Sequence, residues 1–159
     1  MPMGVKLHTV SQQIMQDFSS YHFIEDSDFY FDSASECIYF DSTCLDTNRG
    51  IISLLHEISH AELAHFDFRT DFELFAMESQ AWMKTRNLAH HYNIACSDHF
   101  IQSCLASYGH WVEERSTCPA CTNFSLQEDK STYRCFVCQT RWHIAEGTEP
   151  RIRHIKLTD

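Results

Sequence analysis

One segment constrains the fold of this chain more than any other. Residues 51–64 read IISLLHEISHAELA, a run that is apolar on most sides yet carries two histidines and a glutamate at its centre. Because residues four apart share one face of a helix, His56 and His60 could hold a single metal ion together if the segment is helical. Polar groups buried in an apolar helix need partners. We therefore predict a helix that carries a metal site, the alternative being a chance match in an ordinary amphipathic helix.

The glutamate between the two histidines adds a chemical expectation. Zinc raises the acidity of a bound water towards neutrality, and a neighbouring carboxylate can take that proton and later pass it to a leaving amine. Metal binding alone would not require Glu57. The HExxH pattern at positions 56–60 therefore predicts hydrolysis, with Glu57 as general base and acid.

A third ligand for this metal is expected on the next helix. Thr70-Asp71-Phe72-Glu73 matches a capping box and predicts a helix start. Farther along, a lone carboxylate, Glu78, interrupts a mostly apolar stripe of residues three and four apart. The stripe comprises Phe75, Trp82, Thr85, Ala89 and Tyr92. Since a catalytic zinc has three protein ligands and one open position, we expect His56, His60 and Glu78 to hold it. The alternative places Glu78 at a helix edge, solvated or paired with Arg86.

Three residues at the end of that helix have an open assignment. They are His90, His91 and Tyr92. One of them could swing towards the metal and stabilise the oxyanion of a tetrahedral intermediate. Histidines at a helix end more commonly interact with the helix dipole, and that alternative stays open.

A second metal pattern lies in the C-terminal part of the chain. Four cysteines follow the spacing CxxC-x13-CxxC: Cys118, Cys121, Cys135 and Cys138. Two such knuckles can bring four thiolates to one tetrahedral zinc. No coordination position stays open, so we expect a structural zinc that replaces the core that about 30 residues cannot build alone. Tyr133 and Trp142 beside the second knuckle either recognise a protein partner or cover the zinc.

Length and composition fit one ordinary domain with a small appendage. The chain has 159 residues, 43% of them hydrophobic, with only 4 Gly and 3 Pro, as is typical of globular proteins. We predict an α+β fold with a mostly helical domain over 1–112, a β zinc ribbon over 113–145 and a tail over 146–159. The tail could add one strand or stay flexible.

The first domain is predicted to contain four helices and one hairpin. Aromatic alternation at 28–32 and 36–41 predicts two strands joined by a short turn. The edge of this hairpin could hold an extended peptide or serve only as structural support. Helices are expected over about 5–18, 49–65, 70–92 and 98–108, and Gly109 is expected to end the last of them.

Charge is distributed unevenly along the chain. The formal net charge is −10; residues 1–112 hold 5 Lys/Arg against 15 Asp/Glu, whereas residues 113–159 hold 7 of each. An acidic surface repels phosphate backbones, so we expect no nucleic-acid binding by the first part. Such a surface favours basic protein substrates or simply maintains solubility.

The expected location is the cytoplasm, without membrane contact. The sequence shows neither a basic leader with an apolar run nor a stretch of about 18 apolar residues that could cross a bilayer. Four cysteines outside the ribbon pattern have no ligand spacing and no assigned function: Cys37, Cys44, Cys96 and Cys104. Reduced thiols rather than disulfides are expected.

The motif set resembles a known family. With His56, Glu57, His60 and a helix-borne Glu78, residues 28–109 resemble the glutamate-zincins, especially the compact ImmA/IrrE-type metallopeptidases. The segment Glu78-Ser79-Gln80-Ala81 is similar to their ExxA ligand segment. The resemblance implies a zincin-like domain with a hairpin, an active helix and a ligand helix, and zinc-dependent cleavage of selected intracellular proteins. The zinc ribbon departs from that family.

Two other protease families fit less well. The metzincin pattern requires glycine and histidine where this chain has Leu63 and Phe66, and His65 is expected to face away from the His56 side. SprT-like proteases, the second choice, join HExxH to a zinc ribbon but take a histidine as third ligand. No histidine occurs between His65 and His90.

The leading hypothesis is therefore a zinc endopeptidase with one catalytic and one structural zinc, acting on a protein or peptide substrate. Its competitor is a non-catalytic zinc adaptor whose ribbon binds protein or nucleic acid. The presence of Glu57 argues for the peptidase.

Overall fold

The helices and the strands of two small sheets occur in separate runs along the chain, as expected of an α+β protein. The computed structural model describes residues 3–145 and 154–157, and the predicted α+β class is confirmed. The chain divides into two compact units. Unit 1 comprises Met1–Asp67 and Met77–Gln102, and unit 2 comprises Phe68–Ala76 and Ser103–Asp159. The domain boundary drawn at residue 112 stays a prediction.

The sheet of unit 1 has three short strands. They are β1 (His22–Glu25), β2 (Tyr30–Asp32) and β3 (Cys37–Phe40), in the order β1-β3-β2. Strands β2 and β3 form the predicted antiparallel hairpin, and Tyr30 stacks on Tyr39 across it. Strand β1, which the sequence pattern did not indicate, pairs in parallel with β3. Consequently β3 is central and β2 lies at an edge.

The central helix of unit 1 is α2 (Asn48–Glu62), which packs on β2, β3 and on α1 (Met3–Asp17). Its N-cap is Thr47, whose hydroxyl accepts the Gly50 N–H at 3.0 Å, as capping residues commonly do. The apolar side chains of the helix are fully or almost fully buried. They are Ile51, Ile52, Leu54, Leu55 and Ile58. The prediction of a core helix at these positions is confirmed.

Helix α3 (Asp71–His91) begins with a variant of the predicted capping box. The Thr70 hydroxyl accepts the Glu73 N–H at 3.1 Å, as expected. The Glu73 carboxylate accepts the N–H of Arg69 at 2.6 Å, and backbone hydrogen bonds from both Arg69 and Thr70 lower its pKa. The capping box is therefore present, with Arg69 as an additional donor.

Helix α4 (Asp98–Ser116) runs past the predicted stop at Gly109. A glycine inside a helix costs only about 1 kcal/mol relative to alanine. Contacts of the last turns outweigh that cost. The Arg115 guanidinium lies over the Trp111 ring at 4.4 Å and donates to the Asp71 carboxylate at 2.9 Å. The prediction of a helix end at Gly109 is wrong because these tertiary contacts continue the helix.

The ribbon sheet of unit 2 has four antiparallel strands in sequence order. They are β4 (Leu126–Gln127), β5 (Thr132–Arg134), β6 (Arg141–Ile144) and β7 (His154–Leu157). Strand β7 shows that part of the predicted tail adds a strand, pairing with β6. The rest of that tail, residues 146–153 and 158–159, lies outside the described residues.

A small aromatic core supports the ribbon. Tyr133 and Trp142 are buried and stack with ring centroids 5.5 Å apart, next to buried Cys118 and Cys135. The Tyr133 hydroxyl donates to the buried Asp71 carboxylate, which also receives the Arg115 guanidinium. These aromatic side chains therefore cover the cysteine site, as one of the two sequence interpretations had it.

Within the described part of the chain, no helix combines the length and apolar character needed to cross a membrane. The eight cysteines are all free, without disulfides.

Candidate metal centres

Three side chains from two helices converge in unit 1. Helix α2 supplies His56 and His60, and α3 supplies Glu78. The two imidazole Nε2 atoms lie 3.1 Å apart, and they lie 3.2 and 3.4 Å from oxygens of the Glu78 carboxylate. Donor atoms 2.0–2.1 Å from one tetrahedral metal ion are about 3.3 Å from one another. The two nitrogens and the two Glu78 oxygens therefore have distances compatible with a zinc ligand set.

The first ligand, His56, is held by a buried hydroxyl. Its Nδ1 lies 3.3 Å from the Oγ1 of Thr85, one of the stripe residues on α3. Thr85 donates its own proton to the Ala81 carbonyl at 2.7 Å, so its oxygen is free to accept from His56. Thr85 can therefore accept an Nδ1 proton from His56, a tautomer in which Nε2 presents a lone pair to the site. Trp82 stacks on the same imidazole at 4.0 Å.

The second ligand, His60, is held by a residue that sequence reasoning placed elsewhere. Helix α2 ends at Glu62, so His65 is not on the helix, and its Nδ1 lies 3.0 Å from Nδ1 of His60. The expectation that His65 faces away from the metal side is thus wrong. The other ring nitrogen of His65 lies 3.4 Å from the Gln80 Oε1 on α3.

Contacts within this group and burial change the pKa of Glu78 and of His56. Burial raises the pKa of Glu78, but hydrogen bonding and charge contact with His56 and His60 outweigh it and bring the pKa to about 2. Burial lowers the pKa of His56, which keeps it neutral. Two imidazoles and a carboxylate thus converge in a largely buried space, and this donor set is compatible with zinc.

Glu57 lies beside the ligands without joining them. Its carboxylate accepts the backbone N–H of Phe31, in edge strand β2, at 2.9 Å. Burial raises the pKa of Glu57 from its usual value to about 7, despite the opposing effects of His60 and of that hydrogen bond. A carboxyl group that is half protonated near neutral pH can both take and return a proton.

The other residues considered from the sequence have different surroundings. Arg86 pairs with Asp98 at 3.1 Å and not with Glu78, which is buried. At the end of α3, the Tyr92 hydroxyl donates to Asp17 at 2.7 Å, while His90 and His91 are exposed. The contacts described for these three residues do not include any metal ligand, so an oxyanion role for them stays a prediction.

The second candidate centre is the cysteine cluster of the ribbon. The Sγ atoms of Cys118 and Cys138 lie 3.6 Å apart, those of Cys121 and Cys135 3.5 Å apart, and all four lie within 4.8 Å of one another. Sulfur atoms 2.3 Å from one tetrahedral zinc are about 3.8 Å apart. The cluster therefore also fits a zinc ion, with no ligand position left open.

The two knuckles share one backbone geometry. In each, the residue after the second cysteine has a left-handed φ of 61°, at Thr122 and Gln139, and its N–H returns to the carbonyl of the first cysteine at 2.9 Å. The Cys138 N–H lies 3.5 Å from the Cys135 sulfur and lowers the pKa of that thiol to about 6. Burial raises the pKa of Cys118 to about 11. Cys118 in particular would need a bound metal ion to be a thiolate near neutral pH.

Comparison of the chain with protein-family models, curated proteins and solved structures finds no match. The structure therefore establishes an α+β fold and two candidate metal-binding groups.

Proposed function

We propose that this chain is a zinc-dependent endopeptidase of the glutamate-zincin type, related to the ImmA/IrrE group, that cleaves selected proteins. One observation supports it above all: Glu57, a half-buried glutamate whose carboxylate accepts the Phe31 N–H, adjoins a ligand set of two histidines and a carboxylate. A purely structural zinc site has no use for such a group.

The chemistry divides between the metal and the chain. Zinc, when bound, supplies the Lewis acidity that makes water a nucleophile near neutral pH. His56, His60 and Glu78 hold it, and Glu57 takes a proton on its carboxylate and returns it to the departing amine. The Phe31 N–H fixes one oxygen of Glu57, so the carboxylate keeps one orientation during both transfers.

Peptide substrates would find two features close to Glu57. Strand β2 is at the edge of its sheet, where an extended peptide can pair by main-chain hydrogen bonds. A cavity of about 300 Å³ opens between the loop before β2 and the first turns of α2. Its lining comprises Ser27, Asp28, Phe29, Asp41, Cys44, Thr47, Arg49, Gly50 and Ser53. Ser53 lies one helical turn before Glu57, which makes the cavity a candidate for a substrate side chain.

The ribbon would position the substrate or a protein partner. Large apolar side chains are exposed on it, with 57% of Phe124, 66% of Leu126 and 60% of Phe136 accessible to solvent. Exposed apolar surface of this kind suits protein contacts. The ribbon cysteines would hold a structural zinc, giving two zinc ions per chain. An adaptor that binds through the ribbon and does not cleave is the second candidate.

A substrate trap tests the proposal. Glu57→Gln retains the shape of the side chain but cannot take a proton, so it should bind zinc and capture substrate without cutting it. Captured proteins are identified after cross-linking in cells and are then incubated with wild-type protein, Glu57→Gln, and Glu62→Gln as a matched control on the same helix. Cleavage by wild type and Glu62→Gln alone supports the peptidase. Capture that is equal in all three, without cleavage of any captured protein, leaves the adaptor.

A further inference from the structure

The end of helix α2 has a geometry that places one side chain over another. The Ala64 N–H bonds to the Ala61 carbonyl at 3.1 Å, and the His65 N–H bonds to the His60 carbonyl at 3.1 Å. Ala64 has a left-handed φ of 53°. These two bonds and the positive φ define a Schellman motif, in which the second residue beyond the helix cap lies against the residue five positions earlier. The motif commonly joins two apolar side chains there, but in this chain it joins His65 and His60.

The donor and acceptor roles of the groups along this contact assign its protons. The Gln80 Oε1 can only accept, so the His65 Nε2, 3.4 Å away, carries a proton and donates it. The His65 Nδ1 is then an acceptor, and the His60 Nδ1, 3.0 Å from it, must donate. This leaves the lone pair of the His60 Nε2 directed at His56 and Glu78. The chain of contacts thus runs from an amide on α3 through two imidazoles to the ligand set.

The loop that carries His65 is fixed at its next residue. The Ser33 hydroxyl, in the turn between β2 and β3, donates to the Phe66 carbonyl at 2.8 Å. The Phe66 ring lies 6.4 Å from that of Phe31, whose N–H binds Glu57. His65 is therefore held between a helix end and a strand turn and is not a side chain on a loose loop.

We propose that His65 is a positioning residue of the metal site, which sets the tautomer and ring orientation of His60, with Gln80 orienting His65 in turn. The inference rests on the metal site of the proposed function but not on proteolysis. Outer residues that accept the second proton of a ligand histidine commonly change metal affinity by about 10–100-fold when removed. Thr85 performs the same task for His56, and His65 completes the pair.

Zinc affinity tests this inference in the full-length protein, by competition with a chromophoric chelator. His65→Phe keeps the ring volume and removes the acceptor, and it should weaken the helix site by about 10–100-fold. His65→Asn places its Oδ1 where the histidine has Nδ1, and it should restore most of the affinity. Gln80→Met should cause a smaller loss of zinc affinity, whereas Gln80→Glu should cause none. The ribbon zinc serves as an internal reference, and an unchanged helical circular dichroism spectrum in every variant shows that the fold survives.

The outcomes separate this inference from the proposed function. Unchanged affinity in His65→Phe, or equal losses in His65→Phe and His65→Asn, would overturn the positioning role while leaving the metal site in place. A wild-type chain that binds zinc only in the ribbon would overturn both. Cobalt substitution gives a second readout, because the visible bands of the helix site should shift in His65→Phe and return in His65→Asn. Ala64→Gly, which keeps the turn and relieves the left-handed φ, should leave the affinity unchanged.

Discussion

The Glu57 carboxylate accepts the backbone N–H of Phe31 at 2.9 Å, which joins helix α2 to the edge strand β2 of the sheet. The contact connects residues 26 positions apart and fixes a carboxyl group whose pKa depends on burial and also on the charges of His60, Glu78 and Asp28. A backbone donor cannot rotate away as a side chain can. The orientation of Glu57 is thus determined by the sheet and not by local helix geometry, and its unusual protonation has a measurable effect on stability.

That effect is a pH-dependent stability difference between wild type and Glu57→Gln. The pKa of Glu57 rises from 4.5 to about 7 on folding, so the group stabilises the fold fully below pH 4.5 and loses this contribution as the pH rises through 7. Glutamine has no such loss. The free energy of unfolding of Glu57→Gln should therefore rise relative to that of wild type between pH 4.5 and 7. The difference should reach about 3 kcal/mol above pH 7. Urea unfolding at several pH values measures this once the helix-site metal has been removed and the ribbon zinc kept. A difference independent of pH would contradict it.

Zinc stoichiometry should separate the two centres. Elemental analysis of purified wild type is expected to give two zinc ions per chain, one for each candidate group. Glu78→Ala should lose one, because two histidines alone bind zinc weakly. Cys121→Ser should lose the ribbon ion, and Glu62→Ala, with its carboxylate outside both groups, should keep two. Two ions in Glu78→Ala would show that this carboxylate is not a ligand.

The hydrogen bond of the Thr85 hydroxyl should contribute more to stability and zinc binding than the volume of the Thr85 side chain does. Thr85→Val keeps the shape but leaves the buried Nδ1 of His56 without an acceptor, which costs about 1–3 kcal/mol of stability. It should also weaken zinc binding at the helix site by about 10–100-fold. Thr85→Ser retains the hydroxyl and serves as the control. Chelator competition and thermal unfolding measure both effects; equal behaviour of the valine and serine variants would argue against the hydrogen bond.

Two helical glycines should respond oppositely to alanine. At Gly109 an added Cβ would meet only the Phe75 ring, at 3.9 Å, so Gly109→Ala should stabilise the protein by about 0.5–1 kcal/mol. At Gly50 the Cβ would overlap the backbone carbonyl of Cys44, so Gly50→Ala should destabilise by at least about 2 kcal/mol. Denaturant unfolding of the two variants side by side tests the pair. Destabilisation by Gly109→Ala would mean that the helix needs flexibility there.

Local patterns predicted most of the candidate site. Histidines four apart converge because an α-helix brings them to one face, and that depends on nothing distant. Glu78 was found because a lone carboxylate interrupted an apolar stripe. The geometry of each CxxC pair is also local, since each knuckle is a single turn of backbone. In these cases the ligand geometry follows from residues close together in sequence.

The features that sequence reasoning missed depend on contacts between distant residues. Strand β1 is short and joins β3 in parallel, so its register follows from packing and not from its own alternation. The helix through Gly109 is held by Asp71, which is far away in sequence. His65 could have been found, since a helix ending at Glu62 with a left-handed residue at Ala64 returns the next side chain to His60. A small residue after a helical pattern is a weak signal when it is alanine rather than glycine.

The stacking of Trp82 on His56 gives the helix site an optical reporter of its own. The indole lies 4.0 Å from a ligand ring, whereas Trp142 is in the ribbon core. A cation held beside the imidazole acts on the electrons of the stacked indole. Filling of the helix site should therefore change the emission of Trp82, and variants that keep only this tryptophan would make metal occupancy visible in real time, without any substrate.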